Sequence, residues 1–171
     1  MLEPDIDKLV NERISHWTKM YKDHFPVSAG LDLIILKSHL LIEQQMTALI
    51  CHYCHSPNIV PGVRLSFTQK TSLSRALLTV PLPEHFWKVL DVMNRLRNDL
   101  AHNLEPPKLQ QYLLEAKDIA IEIAKAKNST THPSKLNTDE LVITYLVSYT
   151  HGFLSGIDSL IAVMEKQKRQ V

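Results

Sequence analysis

Apolar residues recur at steps of three or four positions along most of the chain, which is the spacing that gives an α-helix one buried face. In the first such stretch, one face carries Val10, Ile14, Trp17 and Tyr21. No alternation of apolar and polar residues persists over the length of a strand. The pattern therefore predicts an all-α fold. Helices are expected at residues 5–24, 31–54, 66–78, 83–102, 108–127 and 138–168.

Proline and glycine mark the ends of these stretches. A turn is expected from Pro26 to Gly30, and residues 56–62 contain two prolines and a glycine that predict a loop. The most linker-like part of the chain is residues 128–137, NSTTHPSKLN. The 171 residues contain no repeat and match the usual length of one domain. We expect a single domain, 1–171, folded as an up-and-down bundle of five or six helices.

The charge balance limits the kinds of partner. The chain carries 19 Lys and Arg residues against 18 Asp and Glu residues, so its formal net charge is +1. This balance argues against a protein that binds nucleic acid over a broad basic surface, but it leaves room for a small basic pocket. The two cysteines provide no disulfide framework, which favours a reducing compartment.

The apolar segments do not resemble targeting or membrane segments. The first residues, MLEPDIDKLVNER, lack the apolar core of a signal peptide. The longest apolar stretch, residues 141–164, contains His151, Asp158 and several Ser and Thr residues. We interpret it as a packing helix and not as a membrane span. We therefore expect a cytoplasmic protein that does not act at a membrane.

The most unusual segment is NRLRNDLAHNLEPP, at the end of an otherwise apolar helix. It carries five polar side chains of interest: Arg95, Arg97, Asn98, Asp99 and His102. Asn98 and His102 are one helical turn apart and are therefore neighbours. Arg97 is rotated by about 140° from His102 around the helix axis. One helix end can thus present a permanent cation, a titratable imidazole and an amide.

This segment resembles a motif of the HEPN superfamily of helical domains. The residues from Arg97 to His102, RNDLAH, match its R-x4-6-H signature, with the usual polar residue directly after the arginine. The upstream segment LSFTQKTSLSRAL, followed by VLDVMNRLRNDLAHNLE, is similar to families related to the mannitol operon repressor. HLLIEQQMTALI resembles an earlier helix of such domains, which often carries a glutamate at a position like Glu43. The resemblance covers residues 31–111.

The resemblance implies a metal-independent endoribonuclease that works as a homodimer without a cofactor. Arg97 and His102 from both copies would line the RNA-binding cleft. Cleavage by the RNA's own 2′-hydroxyl needs proton transfer, which histidine performs near neutral pH, and stabilisation of a charged phosphorane, which arginine provides. Such proteins often act as toxins or defence effectors, so RNA and an antitoxin or other regulatory protein are the expected partners.

Other side chains are expected to support this site. Asn98 is expected to orient His102, and Asp99 to hold an arginine such as Arg95. Arg95 is also a candidate substrate contact, because it lies on nearly the same helix face as His102. Lys70 is a second candidate for contact with phosphate, although a solvated lysine is the simpler expectation.

Glu43 lies beside the apolar stripe of the second predicted helix, where a carboxylate needs a partner or water. Two partners are open. His39, one turn earlier, would form an ordinary pair on the helix surface. Alternatively, Glu43 faces the motif helix and holds Arg97 in place.

Two other functions also remain open. HEPN-like domains include noncatalytic members, so a dimeric regulatory or protein-interaction module of the mannitol-repressor type is the main alternative; no helix-turn-helix is evident.

The segment from Cys51 to Cys54 has the C-x2-C spacing of a zinc site. A structural zinc site usually needs a second such pair, which the chain lacks, so two small buried cysteines at a helix end are the simpler prediction.

Overall fold

The computed structural model describes residues 4–126 and 135–168. Within these residues it contains helices and no strand, which confirms the all-α prediction. The α-helices are α1 (Pro4–His24), α2 (Leu31–His52), α3 (Phe67–Leu77), α4 (Glu84–His102), α5 (Leu109–Ala126) and α6 (Asp139–Lys168). Their ends lie within two residues of those predicted. The predicted loop 56–62 contains a 3₁₀ helix at Pro57–Gly62. Residues 127–134, which include most of the predicted linker, lie outside the described residues.

The core lies between α2, α4, α5 and α6. Each of these four helices buries residues at steps of three or four positions, because burying one apolar stripe per helix is what holds the helices together. In the stripe predicted for α1, Trp17 is buried but Ile14 is 42% exposed. The largest fully buried side chains are Phe86, Ile35, Ile42, Met46, Leu49, Leu90, Met93, Leu96, Ile123, Ile143 and Leu146. Helix α4 is buried along its whole apolar face, so the core determines where its polar end lies.

Helices α2 and α6 run in the same direction. The Gln45 side chain of α2 donates a hydrogen bond to Ser155 Oγ at 3.1 Å, and farther along both helices His52 contacts Asp158. Helix α1 is antiparallel to α6. Trp17 contacts Asp158, whereas Tyr21, farther along α1, contacts Ser148, which lies earlier in α6. These contacts join residues more than 100 positions apart in the sequence.

Helix α3 departs from the up-and-down order that the sequence predicted. Glu43 of α2 contacts Lys70, and Met46 contacts Thr71 one position farther along α3. Helices α2 and α3 are therefore parallel, and the connection 53–66 runs back along α2. The long connection makes this possible, because a short turn would have forced the two helices to be antiparallel.

Of the described helices, α2 alone is long and apolar enough to cross a membrane by length and composition. A little over half of its apolar window, 56%, is buried inside the protein, as is common for core helices. Three of its buried residues are polar: Ser38, His39 and Gln45.

Candidate active site

The predicted motif occupies the last two turns of α4, and the core fixes its orientation. The buried stripe of α4 includes Phe86, Leu90, Met93 and Leu96, all 0% exposed. A helix held by such a stripe has a fixed rotation about its axis. Arg97 and Asn98 consequently lie half-buried on its flank, and His102 is exposed at its end.

Arg97 lies beside a neutral partner. Its Nη1 donates a hydrogen bond to Asn98 Oδ1 at 3.1 Å, and no carboxylate within the described residues forms an ion pair with it. Its charge acts on a nearby buried imidazole. Burial is the main cause that lowers the pKa of His39, and the positive charge of Arg97 lowers it further. Arg97 is thus a partly exposed cation without a described acidic partner.

His102 is exposed at the C-terminal end of α4, one turn beyond Asn98. Within the part of the chain that the structure describes, its ring forms no hydrogen bond or ion pair. The Oδ1 of Asn98 contacts Arg97 instead of the imidazole. The imidazole therefore faces solvent, where it is accessible to a ligand or to a second protein.

Asp99 is buried and stabilises the turn that follows α4. Its Oδ1 accepts a hydrogen bond from the Asn103 side chain at 3.1 Å, and its Oδ2 accepts one from the backbone N–H of Lys108 at 3.0 Å. A carboxylate that accepts two such bonds satisfies groups at the end of α4 and at the start of α5. The expectation that Asp99 holds Arg95 is wrong, because both carboxylate oxygens contact the turn.

Arg95 joins α4 to α5. Its guanidinium donates to both oxygens of Glu115, at 2.8 and 2.5 Å, and also pairs with Asp91 one turn earlier, at 2.9 Å. It lies over the ring of Tyr112, 4.9 Å from the centroid. The hydrogen bonds to Glu115 are the main cause that raises the pKa of Arg95. Two carboxylates neutralise this cation, so it is less available to phosphate than Arg97.

Glu43 pairs with Lys70 and not with Arg97. The Lys70 Nζ donates to Glu43 Oε1 at 2.9 Å, and His39 Nδ1 lies 3.9 Å from Oε2. The proposed link from Glu43 to the motif arginine is therefore not made. Lys70, whose side chain is 14% exposed, is largely buried in an ion pair instead of being solvated.

His39 connects α2 to both α3 and α4. It is 4% exposed, its ring stacks on Phe67 with centroids 4.1 Å apart, and its Nε2 lies 3.4 Å from Asn94 Oδ1. The pair of His39 and Glu43 is thus partly buried, not on the helix surface as the simpler expectation had it. Together these contacts form a polar layer one turn before Arg97.

The cysteine-containing segment is not arranged as a metal site. Within the described residues, no group of three or more His, Cys, Asp or Glu side chains is placed to hold a metal ion. Both cysteines are free and partly buried. Cys51 Sγ contacts the backbone oxygen of Pro57 at 3.6 Å, and the intervening His52 is directed to a different cluster.

That cluster, which the sequence interpretation missed, joins α1, α2 and α6. His52 lies between two carboxylates, with Nε2 2.7 Å from Asp158 Oδ1 and Nδ1 3.3 Å from Glu165 Oε1. Trp17 Nε1 donates to the other oxygen of Asp158 at 3.0 Å, and Arg13 lies 3.8 Å from it. We call these five residues the three-helix cluster.

The three-helix cluster favours charged His52 and charged Asp158. The hydrogen bond to Asp158 is the main cause that raises the pKa of His52. Burial acts to raise the pKa of Asp158, but the hydrogen bonds from His52 and Trp17 and the charges of His52 and Arg13 together outweigh it, so this pKa is lowered. The signal in the sequence is an aspartate inside the apolar stripe of α6, because a buried carboxylate requires partners.

No family model, curated protein or solved structure matches this chain. The resemblance to HEPN domains therefore depends on residues 31–111 alone. What the structure adds is the location of each motif side chain, from which a function can be proposed.

Proposed function

We propose that this chain is a HEPN-like, metal-independent endoribonuclease that works as a homodimer. The observation that carries the proposal is the contrast between two arginines two residues apart. Arg95 is neutralised by two carboxylates, whereas Arg97, among the described residues, contacts a neutral amide and no carboxylate, and it is partly exposed. A cation without a described acidic partner, on the same helix end as an exposed imidazole, is a suitable contact for a phosphate group.

The chemistry requires a base, an acid and a stabilising cation. A base removes the proton of the ribose 2′-hydroxyl, and the 2′-oxygen forms a bond to the adjacent phosphorus. The bond from phosphorus to the 5′-oxygen breaks, and an acid gives that leaving oxygen a proton. The products are a cyclic phosphate end and a 5′-hydroxyl end. Two copies of His102 supply base and acid, and Arg97 stabilises the charge on the phosphorane.

Helix geometry favours two copies at one cleft. Arg97 and His102 are separated by about 7.5 Å along the helix axis and by about 140° around it. One copy, however, supplies a single motif imidazole, whereas the base and the acid act on opposite sides of the phosphorus. Two copies related by a two-fold axis can face one phosphate with an arginine and a histidine from each. This need for a partner copy is the physical reason for proposing a homodimer.

The remaining motif residues have supporting roles in this proposal. Asn98 holds the Arg97 guanidinium, and Asp99 fixes the turn that follows α4. Lys70 and Arg95 are each neutralised by glutamate, so we leave both out of the proposed contact with RNA. From the family resemblance, we extend the proposal to a cytoplasmic toxin or defence role, restrained by an antitoxin or other regulatory protein.

The experiment is incubation of the purified protein with total RNA in EDTA, beside His102→Ala and Arg97→Ala. We expect the wild-type protein to cleave, and each variant to lose about a hundredfold or more of the rate. His55→Ala removes an exposed imidazole outside the motif, and Lys88→Ala removes an exposed cation from the same helix. Both control proteins should retain the wild-type rate.

Two results would overturn the nuclease proposal. One is intact RNA after incubation with folded wild-type protein, and the other is cleavage that both motif variants retain. A protein that sedimentation shows to be monomeric at every concentration would overturn the shared cleft.

A noncatalytic, mannitol-repressor-like dimeric module is the second candidate. It is favoured by the contacts of two motif residues: Asp99 holds the turn after α4 and Arg95 pairs with Glu115. These contacts leave only part of the motif for chemistry. A dimer that leaves RNA intact would support it.

A further inference from the structure

A cavity of about 520 Å³ lies between α6, the segment 78–82 and the end of α2. Its walls include three aromatic rings, those of Tyr53, Tyr149 and Phe153, and its rim includes Leu160. Two separate stretches of chain line it together with α6, so it is a concave site that is open to solvent on one side. Volumes of about 300–1,000 Å³ are typical of sites for drug-sized molecules.

The chemistry of the lining restricts the occupant. None of the described residues that line the cavity carries a formal charge at neutral pH, and most are apolar. Burial is the main cause that raises the pKa of Tyr149 to about 12, so this phenol stays neutral as well. A charged molecule would lose its hydration here without gaining a counter-ion, which is costly. Among the described lining residues, hydroxyl groups other than those of the tyrosines belong to Thr79 and Ser148.

Two glycines of α6 keep this cavity open. Gly152 and Gly156 are one turn apart in the middle of a 30-residue helix, and both line the cavity. A Cβ atom added at either position would meet nothing within 4 Å. Packing within this chain therefore does not require glycine at either position, and glycine is a poor helix former. Any larger side chain there would occupy the space.

We propose that this cavity binds a neutral, largely apolar small molecule that contains an aromatic ring. Volume, absence of charge in the lining, aromatic walls and glycines that leave room all support the same class of occupant. Neither Arg97 nor His102 lines the cavity, so the proposal is independent of the proposed nuclease.

The test uses two probes of the same shape that differ in charge. N-phenylnaphthylamine is neutral and fluoresces in apolar surroundings, and anilinonaphthalene sulfonate is its anionic relative. We expect saturable one-to-one binding of the neutral probe to the full chain. The anionic probe should bind at least about tenfold more weakly. In Gly156→Leu, the neutral probe should bind about tenfold more weakly or not at all, because the leucine side chain projects into the cavity and reduces its volume.

A control protein and a second cavity variant complete the test. Gln111→Leu adds the same side chain at an exposed position of α5 outside the cavity, and it should bind the neutral probe like the wild-type protein. Gly152→Leu fills the cavity from a second position, in case Gly156→Leu does not fold by circular dichroism. Equal binding by filled and wild-type proteins would overturn the proposal, as would preference for the anionic probe. A dimer that dissociates in Gly156→Leu, with no probe binding by wild-type protein, would identify the face as a self-association surface and also overturn it.

Discussion

At the scale of single residues, Asp99 shows how a motif residue can serve the fold. Its carboxylate links the end of α4 to the start of α5 through Asn103 and the Lys108 N–H. It is 8% exposed, so water replaces these contacts only in part once the carboxylate is removed. The position of His102, three residues later on the same helix end, depends on this turn.

We expect Asp99→Ala to lower the free energy of unfolding by about 1–3 kcal/mol, because the Lys108 N–H and the Asn103 side chain lose a charged acceptor. Urea denaturation followed by circular dichroism measures this change. Asp91→Ala is the matched control on the same helix, since Asp91 is exposed and Arg95 keeps its contacts with Glu115. It should change stability by less than about 0.5 kcal/mol. A loss of similar size in both variants would contradict the structural role of Asp99.

The sequence located the motif but not the contacts of its side chains. Arg95 has an aspartate four residues away on each side, Asp91 and Asp99, and both spacings bring the two side chains together on a helix. The choice between them depends on the chain after α4, which directs Asp99 to the backbone of Lys108. Contacts of this kind depend on tertiary structure, so helical periodicity could not predict them.

At the scale of helices, α3 is the shortest α-helix described, with 11 residues, and its N-terminus has a complete capping box. The Ser66 hydroxyl accepts a hydrogen bond from the Gln69 N–H at 3.2 Å, and the Gln69 side chain accepts one from the Ser66 N–H at 2.8 Å. Short helices depend strongly on such caps, because few internal hydrogen bonds offset the cost of nucleation. Lys70, the partner of Glu43, lies in the same turn.

We expect Ser66→Ala to lower the free energy of unfolding by about 1 kcal/mol, because the first turn of α3 loses an acceptor. Ser72→Ala is the control, at an exposed position inside the same helix. Alanine is the better helix former there, so stability should be unchanged or slightly higher. Thermal and urea unfolding of the two variants would give this comparison. Equal effects of the two substitutions would exclude a capping contribution.

The helix ends were predictable because proline, glycine and capping residues act locally. The start at residue 66 coincides with the N-cap of α3, and proline at residue 83 precedes α4. The 3₁₀ helix at Pro57–Gly62 was not predicted, since its prolines and glycine equally suit a loop. The parallel direction of α2 and α3 was also missed, because it depends on the path of residues 53–66 and not on any local pattern.

At the scale of the whole molecule, the three-helix cluster makes stability depend on pH. The pKa of His52 is raised from 6.5, so the stabilisation by its charged form is fully present below that value and is lost as pH rises through the folded pKa. The pKa of Asp158 is lowered from 3.8, so its contribution is lost only as pH falls through the still lower folded pKa. Both contributions are present between about pH 5 and about pH 6.5.

We expect His52→Gln to lower the free energy of unfolding by about 1–3 kcal/mol at about pH 5.5, and by less at about pH 8.5, because glutamine never carries the charge that Asp158 stabilises. The buried imidazoles His39 and His151, whose pKa values burial lowers, favour the folded state at higher pH instead. They are present in both proteins, so their effect cancels in the difference. Urea unfolding at the two pH values measures the difference in free energy of unfolding between wild-type protein and His52→Gln. His55→Gln, at an exposed position, is the control. A cost of His52→Gln that stays constant or grows with pH would mean that the cluster does not hold a charged imidazole.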